Sequence, residues 1–295
     1  MKRFSYFGEL MKSTGEFFKK PVLMLPFVYI FIVSTIFLLV TPQPNPENLG
    51  WTIALTILGF TVLQGLISII FEGAALTTYR DYLEKKQIDA GTQIQGGFKL
   101  YGKVLVLKIL QMLIIIIPAI ILLLLFALIA NLMHINIFDA SVSNATTLLI
   151  IFVLIYAIYL LLSSMALMFS SVAVSYKGTG PWTAIKESYK IFQQDTMHSF
   201  LTFVLIVLYV VLYILVVTAI TTIISWLVLS ANETSLISEV IVSLLTIPLG
   251  GIILLYIFKA FQPEEKLAEI KTQTLANTTT KKTVKTAKKT SKKRK

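Results

Sequence analysis

Six apolar stretches, at approximately 21–41, 51–76, 104–130, 147–173, 200–226 and 236–258, are each long enough to cross a hydrocarbon core as a helix. A bilayer interior of roughly 30 Å needs about twenty helical residues, and a helix satisfies its own backbone hydrogen bonds where no water is present. Runs such as IIIIPAIILLLLF are rich in β-branched residues, but their length and lack of alternation argue against porin-like strands. The expected class is all-α: a polytopic membrane protein with six transmembrane helices. Composition points the same way, since 56% hydrophobic residues and a mean hydropathy of +0.81 lie outside the balance of soluble domains. The first apolar run starts about twenty residues in and ends in TPQPNPEN with no small-x-small site, so it reads as a span rather than a cleaved signal. With no cysteine, disulfide and thiolate chemistry are excluded.

Charge sets the expected orientation. Of the 26 Lys and Arg, 5 precede the first span, 6 run from Arg80 through Lys108, 3 from Lys177 through Lys190, and 12 from Lys259 onward. The alternate loops near 42–50, 131–146 and 227–235 carry no Lys or Arg, but do carry Glu47, Asp139 and Glu233. Positive charge is retained on the cytoplasmic side, so the protein is expected in the cell membrane, multi-pass, with both termini cytoplasmic. A five-span or seven-span chain would put a basic segment outside. Trp51 and Trp226 then fall at the outer interface.

The segments before the odd-numbered spans share a form. MKSTGEFFKK (11–20), IQGGFKLYGK (94–103) and IKESYKIFQQ (185–194) align without gaps, with an apolar residue at the first position and a hydrophobic pair at the seventh and eighth. These pairs are Phe17 and Phe18, Leu100 and Tyr101, and Ile191 and Phe192. Helical spacing gathers the apolar groups on one face, so amphipathic interfacial helices are expected before spans one, three and five, with the six pair residues as membrane-surface contacts. Each segment plus two spans makes a unit, and three units give a parallel repeat over residues 1–260, unlike inverted transporter repeats. The competing reading is that any basic link beside a membrane tends to be amphipathic. In the third copy, Gly180 followed by Pro181 marks a helix start.

Within the spans, Pro26, Pro118 and Pro248 are expected to interrupt helical hydrogen bonding and bend spans one, three and six. Ser163, Ser164, Ser170, Ser171, Thr218, Thr221 and Thr222 suit close helix packing, with a polar route through the bundle as the alternative. Glu72 and Lys108 are the candidate intramembrane functional residues. A carboxylate at the cytoplasmic end of span two must meet water, a partner or a proton; interfacial solvation is its default, with a contact to Lys108 or a proton-coupled role as the alternatives. Lys108 has a stem long enough to snorkel.

No catalytic, cofactor or metal site is expected. His134 and His198 lack companion ligands at useful spacing. A P-loop, a dinucleotide glycine pattern and HExxH are all missing. NAT at 144–146 and NET at 232–234 match the glycosylation triplet, a pattern with many chance occurrences. After Gln273, a Lys-rich and nearly hydrophobe-free sequence implies a disordered cytoplasmic tail, taken as 261–295. Nine of the last fifteen residues are Lys or Arg, so the tail suits anionic lipids of the adjacent bilayer. Nucleic acid is the less favoured partner because stacking aromatics are missing, and a membrane-protein partner remains open.

The segments FGELMKSTGEFFKKPVLMLP (7–26) and GPWTAIKESYKIF (180–192) resemble a poorly characterised superfamily of bacterial and archaeal six-span membrane proteins. That superfamily includes the membrane domain fused to some glycerophosphoryl diester phosphodiesterases. The resemblance spans roughly residues 5–260 and implies a helical membrane domain of unknown activity. The phosphodiesterase barrel and its metal-binding carboxylates have no counterpart in the sequence, so that catalysis is not implied. The expected function is non-enzymatic organisation or assistance of membrane components. A transporter or channel, and a membrane-embedded lipid-modifying enzyme, are the alternatives.

Overall fold

The computed structural model describes residues 5–41, 50–132, 143–228, 242, 244 and 248–261. These residues form helices α1 (Tyr6–Lys19), α2 (Leu25–Val40), α3 (Trp51–Leu83), α4 (Ala90–Leu132), α5 (Ser143–Leu167), α6 (Ser170–Lys177), α7 (Pro181–Gln194), α8 (Thr196–Val228) and α9 (Pro248–Phe261), with a 3₁₀ turn at Pro21–Leu23. Four apolar helical segments, Ile53–Leu83, Ala90–Ile129, Leu149–Lys177 and Thr196–Ile223, are long enough to cross a membrane, while α2 and α9 are apolar but shorter. The fold is therefore all-α with the architecture of a polytopic membrane protein. His134, Asp139, Glu47, the NET triplet and the basic tail lie outside the described residues.

Local chemistry explains where the chain breaks. Lys20 ends α1 because the following Pro21 disfavours a helical conformation in the residue before it. Pro181 occupies the first helical position of α7, where its missing N–H costs nothing. Asp195 separates α7 from α8, and its Oδ1 accepts from the His198 backbone N–H at 2.9 Å. Asp89 likewise caps α4, its Oδ1 accepting from Thr92 N–H at 2.8 Å.

The second of the three aligned segments departs from expectation. Residues 94–103 are not a separate helix but the first turns of α4, which runs for 43 residues. No proline precedes Pro118 within α4 and no capping break intervenes, so propagation continues into the span. A further departure is the interruption of span four, where Met168 and Phe169 form a turn between α5 and α6. Pro26 does not bend span one, because it sits in the first turn of α2.

The core lies at the end of the bundle that carries the basic residues. Leu10, Phe17, Leu23, Leu76, Tyr79, Val104, Leu107, Phe169, Leu255, Tyr256, Phe258 and Phe261 belong to one buried cluster. Each of the three aligned segments packs on another helix: α1 on α9, the start of α4 on α3, and α7 on the α5–α6 junction. Glycine is required at two of these crossings. A Cβ at Gly97 would collide with the Ile70 carbonyl, and one at Gly251 with the Phe17 ring. Arg80 Nη1 donates to the Ser175 carbonyl at 3.2 Å and Lys103 Nζ to that of Gly178, so cations from α3 and α4 meet the negative end of α6.

Away from this collar adjacent helices still touch, through Phe37 and Phe60 and through Phe126 and Phe152, but their apolar faces are open. None of the most apolar 18-residue stretch of α3 or of α4 is buried, and only 17% and 11% of the corresponding stretches of α5–α6 and α8 are.

Candidate functional site

Glu72 projects from α3 and Lys108 from α4, with Lys108 Nζ 2.7 Å from Glu72 Oε1. At 1.5 Å per residue, Glu72 sits about 16 Å along the helix from its end at Leu83. The default of a solvated interfacial carboxylate thus gives way to an ion pair. Both side chains retain partial exposure, 31% for Glu72 and 41% for Lys108, so the pair flanks the bundle rather than being sealed within it. A carboxylate and an ammonium in contact neutralise each other's field, which lowers the cost of holding either beside hydrocarbon.

Two nearby polar clusters complete backbone hydrogen bonding. Pro118 has no N–H to give the Ile114 carbonyl four residues earlier in α4. The Tyr159 hydroxyl of α5 donates to that carbonyl at 2.5 Å, and Tyr156 donates to the Ile115 carbonyl at 3.2 Å. At the break after α5, Ser188 of α7 accepts from Phe169 N–H at 3.2 Å and donates to the Ala166 carbonyl at 2.5 Å. Ser170 Oγ donates to the Leu167 carbonyl at 2.6 Å while accepting from Gln111 Nε2 at 2.7 Å. Thr221 and Thr222 bond to carbonyls one turn back within α8. These hydroxyls serve packing and backbone satisfaction.

The paired residues of the aligned segments divide in a way that corrects their assignment as membrane-surface contacts. Phe17 is fully buried and Leu100 is 8% exposed, so both belong to the core. Ile191 packs partly buried against that core. Phe18 is 53% exposed, and Tyr101 and Phe192 are intermediate. Adjacent residues on a helix diverge by about 100°, so one member of a pair turns inward while the other turns away.

Sequence reasoning missed the polar contacts that tie α1 to α8 and α9. Lys259, 9% exposed, places Nζ 2.8 Å from Glu16 Oε2 and 3.8 Å from Glu9 Oε2, close enough for ion pairing but without hydrogen-bond alignment. His198 is buried, stacks on Phe169, and lies 3.0 Å from the Tyr6 hydroxyl through Nδ1 and 3.2 Å from the Ala260 carbonyl through Nε2. A carbonyl only accepts, so Nε2 carries hydrogen; in the neutral imidazole Nδ1 then accepts from tyrosine. Glu9 and Glu16, seven residues apart on one side of α1, were the available signal, but their partner lies more than two hundred residues away.

Among the described residues, no group of three or more His, Cys, Asp or Glu is arranged to hold a metal ion. Comparisons with protein-family models, curated proteins and solved structures returned no match.

Proposed function

We propose that this is a non-enzymatic integral membrane protein that organises or assists other membrane components, with six spans and both termini in the cytoplasm. One observation carries the reading: the chain packs tightly at its basic end while the apolar faces of its long helices remain uncovered by the other described residues. Those faces need lipid or other transmembrane helices as their solvent. The bonding of Tyr159, Ser170 and Thr221 hydroxyls to backbone carbonyls supports a packing scaffold.

In this reading the basic segments stay with the cytoplasmic leaflet, α1 and α7 lie at its interface, and the tail binds anionic lipid. The packing of each aligned segment against another helix supports a parallel three-unit repeat and kinship with the six-span superfamily to which 7–26 and 180–192 bear a resemblance. Photo-crosslinking in native membranes tests the function: reproducible protein partners or enriched lipids are expected. A purified protein that carries a solute rapidly across vesicles, with no partner recovered, would reject it.

The ion pair of Glu72 and Lys108 favours one second reading, an ion-coupled transporter. That reading requires solute flux in proteoliposomes that Glu72→Gln abolishes.

A further inference from the structure

The exposed apolar side chains of α1 are not the ones that fill the core. Taking about 100° per residue, Leu10, Ser13 and Phe17 form a buried stripe. Phe7, Met11 and Phe18 form a second stripe beside it and are 65%, 53% and 53% exposed. Lys12 and Lys19 occupy the remaining side. Helix α7 repeats the division: Ala184, Ile185 and Ser188 are buried, while Trp182 and Tyr189 are 55% and 50% exposed. Between these two rings lies Lys186, its Nζ 5.6 Å from the Trp182 ring centroid. Glu16 pairs with Lys259 at 2.8 Å and Glu187 with Lys177 at 3.6 Å, while Glu9, off both stripes, lies 3.8 Å from Lys259 and 3.8 Å from the exposed Lys12.

We propose that these two outward stripes dock on anionic phospholipid headgroups of the leaflet that the protein spans, the rings at the headgroup–acyl boundary and Lys12, Lys19, Lys186 and Lys190 reaching phosphates. The inference rests on the reading that the basic end lies at the cytoplasmic face. Two arguments select lipid as the occupant. A three-residue turn at Pro21–Leu23 ties α1 to apolar α2, so the stripe cannot leave the vicinity of the bilayer. Aromatic rings interleaved with lysine, without a carboxylate on the outward stripes, also match an anionic interface in polarity and charge. The surface uses Phe7, Met11, Trp182 and Tyr189 in place of the buried Phe17 and Leu100.

Tryptophan fluorescence tests this without disturbing the core. The full chain carrying Trp51→Phe and Trp226→Phe, which leaves Trp182 as sole reporter, is reconstituted in phosphatidylcholine vesicles with and without phosphatidylglycerol. Lipids bearing a shallow nitroxide serve as quenchers. A second reporter is Phe18→Trp in a chain whose native tryptophans are all phenylalanine. The expected result is quenching of both reporters by shallow nitroxide lipid, several-fold stronger with phosphatidylglycerol, with the anionic enhancement at Trp182 lost in Lys186→Gln/Lys190→Gln. Reporters quenched by aqueous acrylamide but not by lipid, while Trp51 as sole tryptophan remains lipid-quenched, would overturn the docking surface and leave the spanning architecture standing. That outcome would mark a face for a water-exposed protein partner. Loss of lipid quenching at Trp51 as well would instead remove the membrane reading beneath it.

Discussion

Lys108 Nζ rests 2.7 Å from Glu72 Oε1, joining α3 to α4 inside segments whose neighbouring residues are overwhelmingly apolar. Glu72→Gln leaves the ammonium without its counter-charge beside hydrocarbon. A loss of about 1–2 kcal/mol is expected, moderated by the partial exposure of both groups. Lys108→Gln should cost a similar amount, and the double variant should recover much of either loss. Unfolding midpoints in a lipid-like detergent, arranged as a double-mutant cycle, measure the coupling; purely additive losses contradict the pairing.

Tyr159 and Pro118 form a second testable pair. Tyr159→Phe removes the donor to the Ile114 carbonyl that Pro118 leaves vacant. A cost of about 1 kcal/mol follows. In a Pro118→Ala background the alanine N–H serves that carbonyl, so Tyr159→Phe should cost clearly less. Equal costs in the two backgrounds would show that the hydroxyl acts elsewhere.

Ser188 bridges a broken helix. Ser188→Ala strands the Phe169 N–H and the Ala166 carbonyl together. The expected loss is about 1–3 kcal/mol, and hydrogen exchange at the Met168–Phe169 turn should rise. The control Ser163→Ala, at a half-buried position one turn earlier, should leave that exchange unchanged.

The long apolar helices were legible because twenty-residue apolar runs have few alternative solutions, and Pro181 announced the start of α7 in plain chemistry. Glu72 and Lys108 stood out because charge is rare there, but their contact was only an alternative to interfacial solvation, since the register of α3 against α4 is set by packing such as that at Gly97. Which residue of Phe17 and Phe18 turns inward was not legible, because both are equally apolar and the decision belongs to Gly251, on a helix met much later in the chain. The break at Met168–Phe169 was hidden for a similar reason. Its freed backbone groups are satisfied by Ser188 from another helix, which local propensity does not register. The continuity of 94–103 with the rest of α4 has a local signature, since no proline stands between that segment and the apolar run as Pro21 does after α1.

Because the chain has no cysteine, single introduced thiols report sidedness cleanly. Variants Ser5→Cys, Gln87→Cys, Thr179→Cys and Thr280→Cys sample the basic side, and Asn45→Cys, Asn136→Cys and Asn232→Cys sample the opposite loops. Labelling intact cells with a membrane-impermeant maleimide tests the six-span, basic-side-in arrangement most directly. The account predicts that the latter three react at once and the former four react only after permeabilisation. Reaction of Gln87→Cys or Thr179→Cys from outside, or a split between Ser5→Cys and Thr280→Cys, would contradict it.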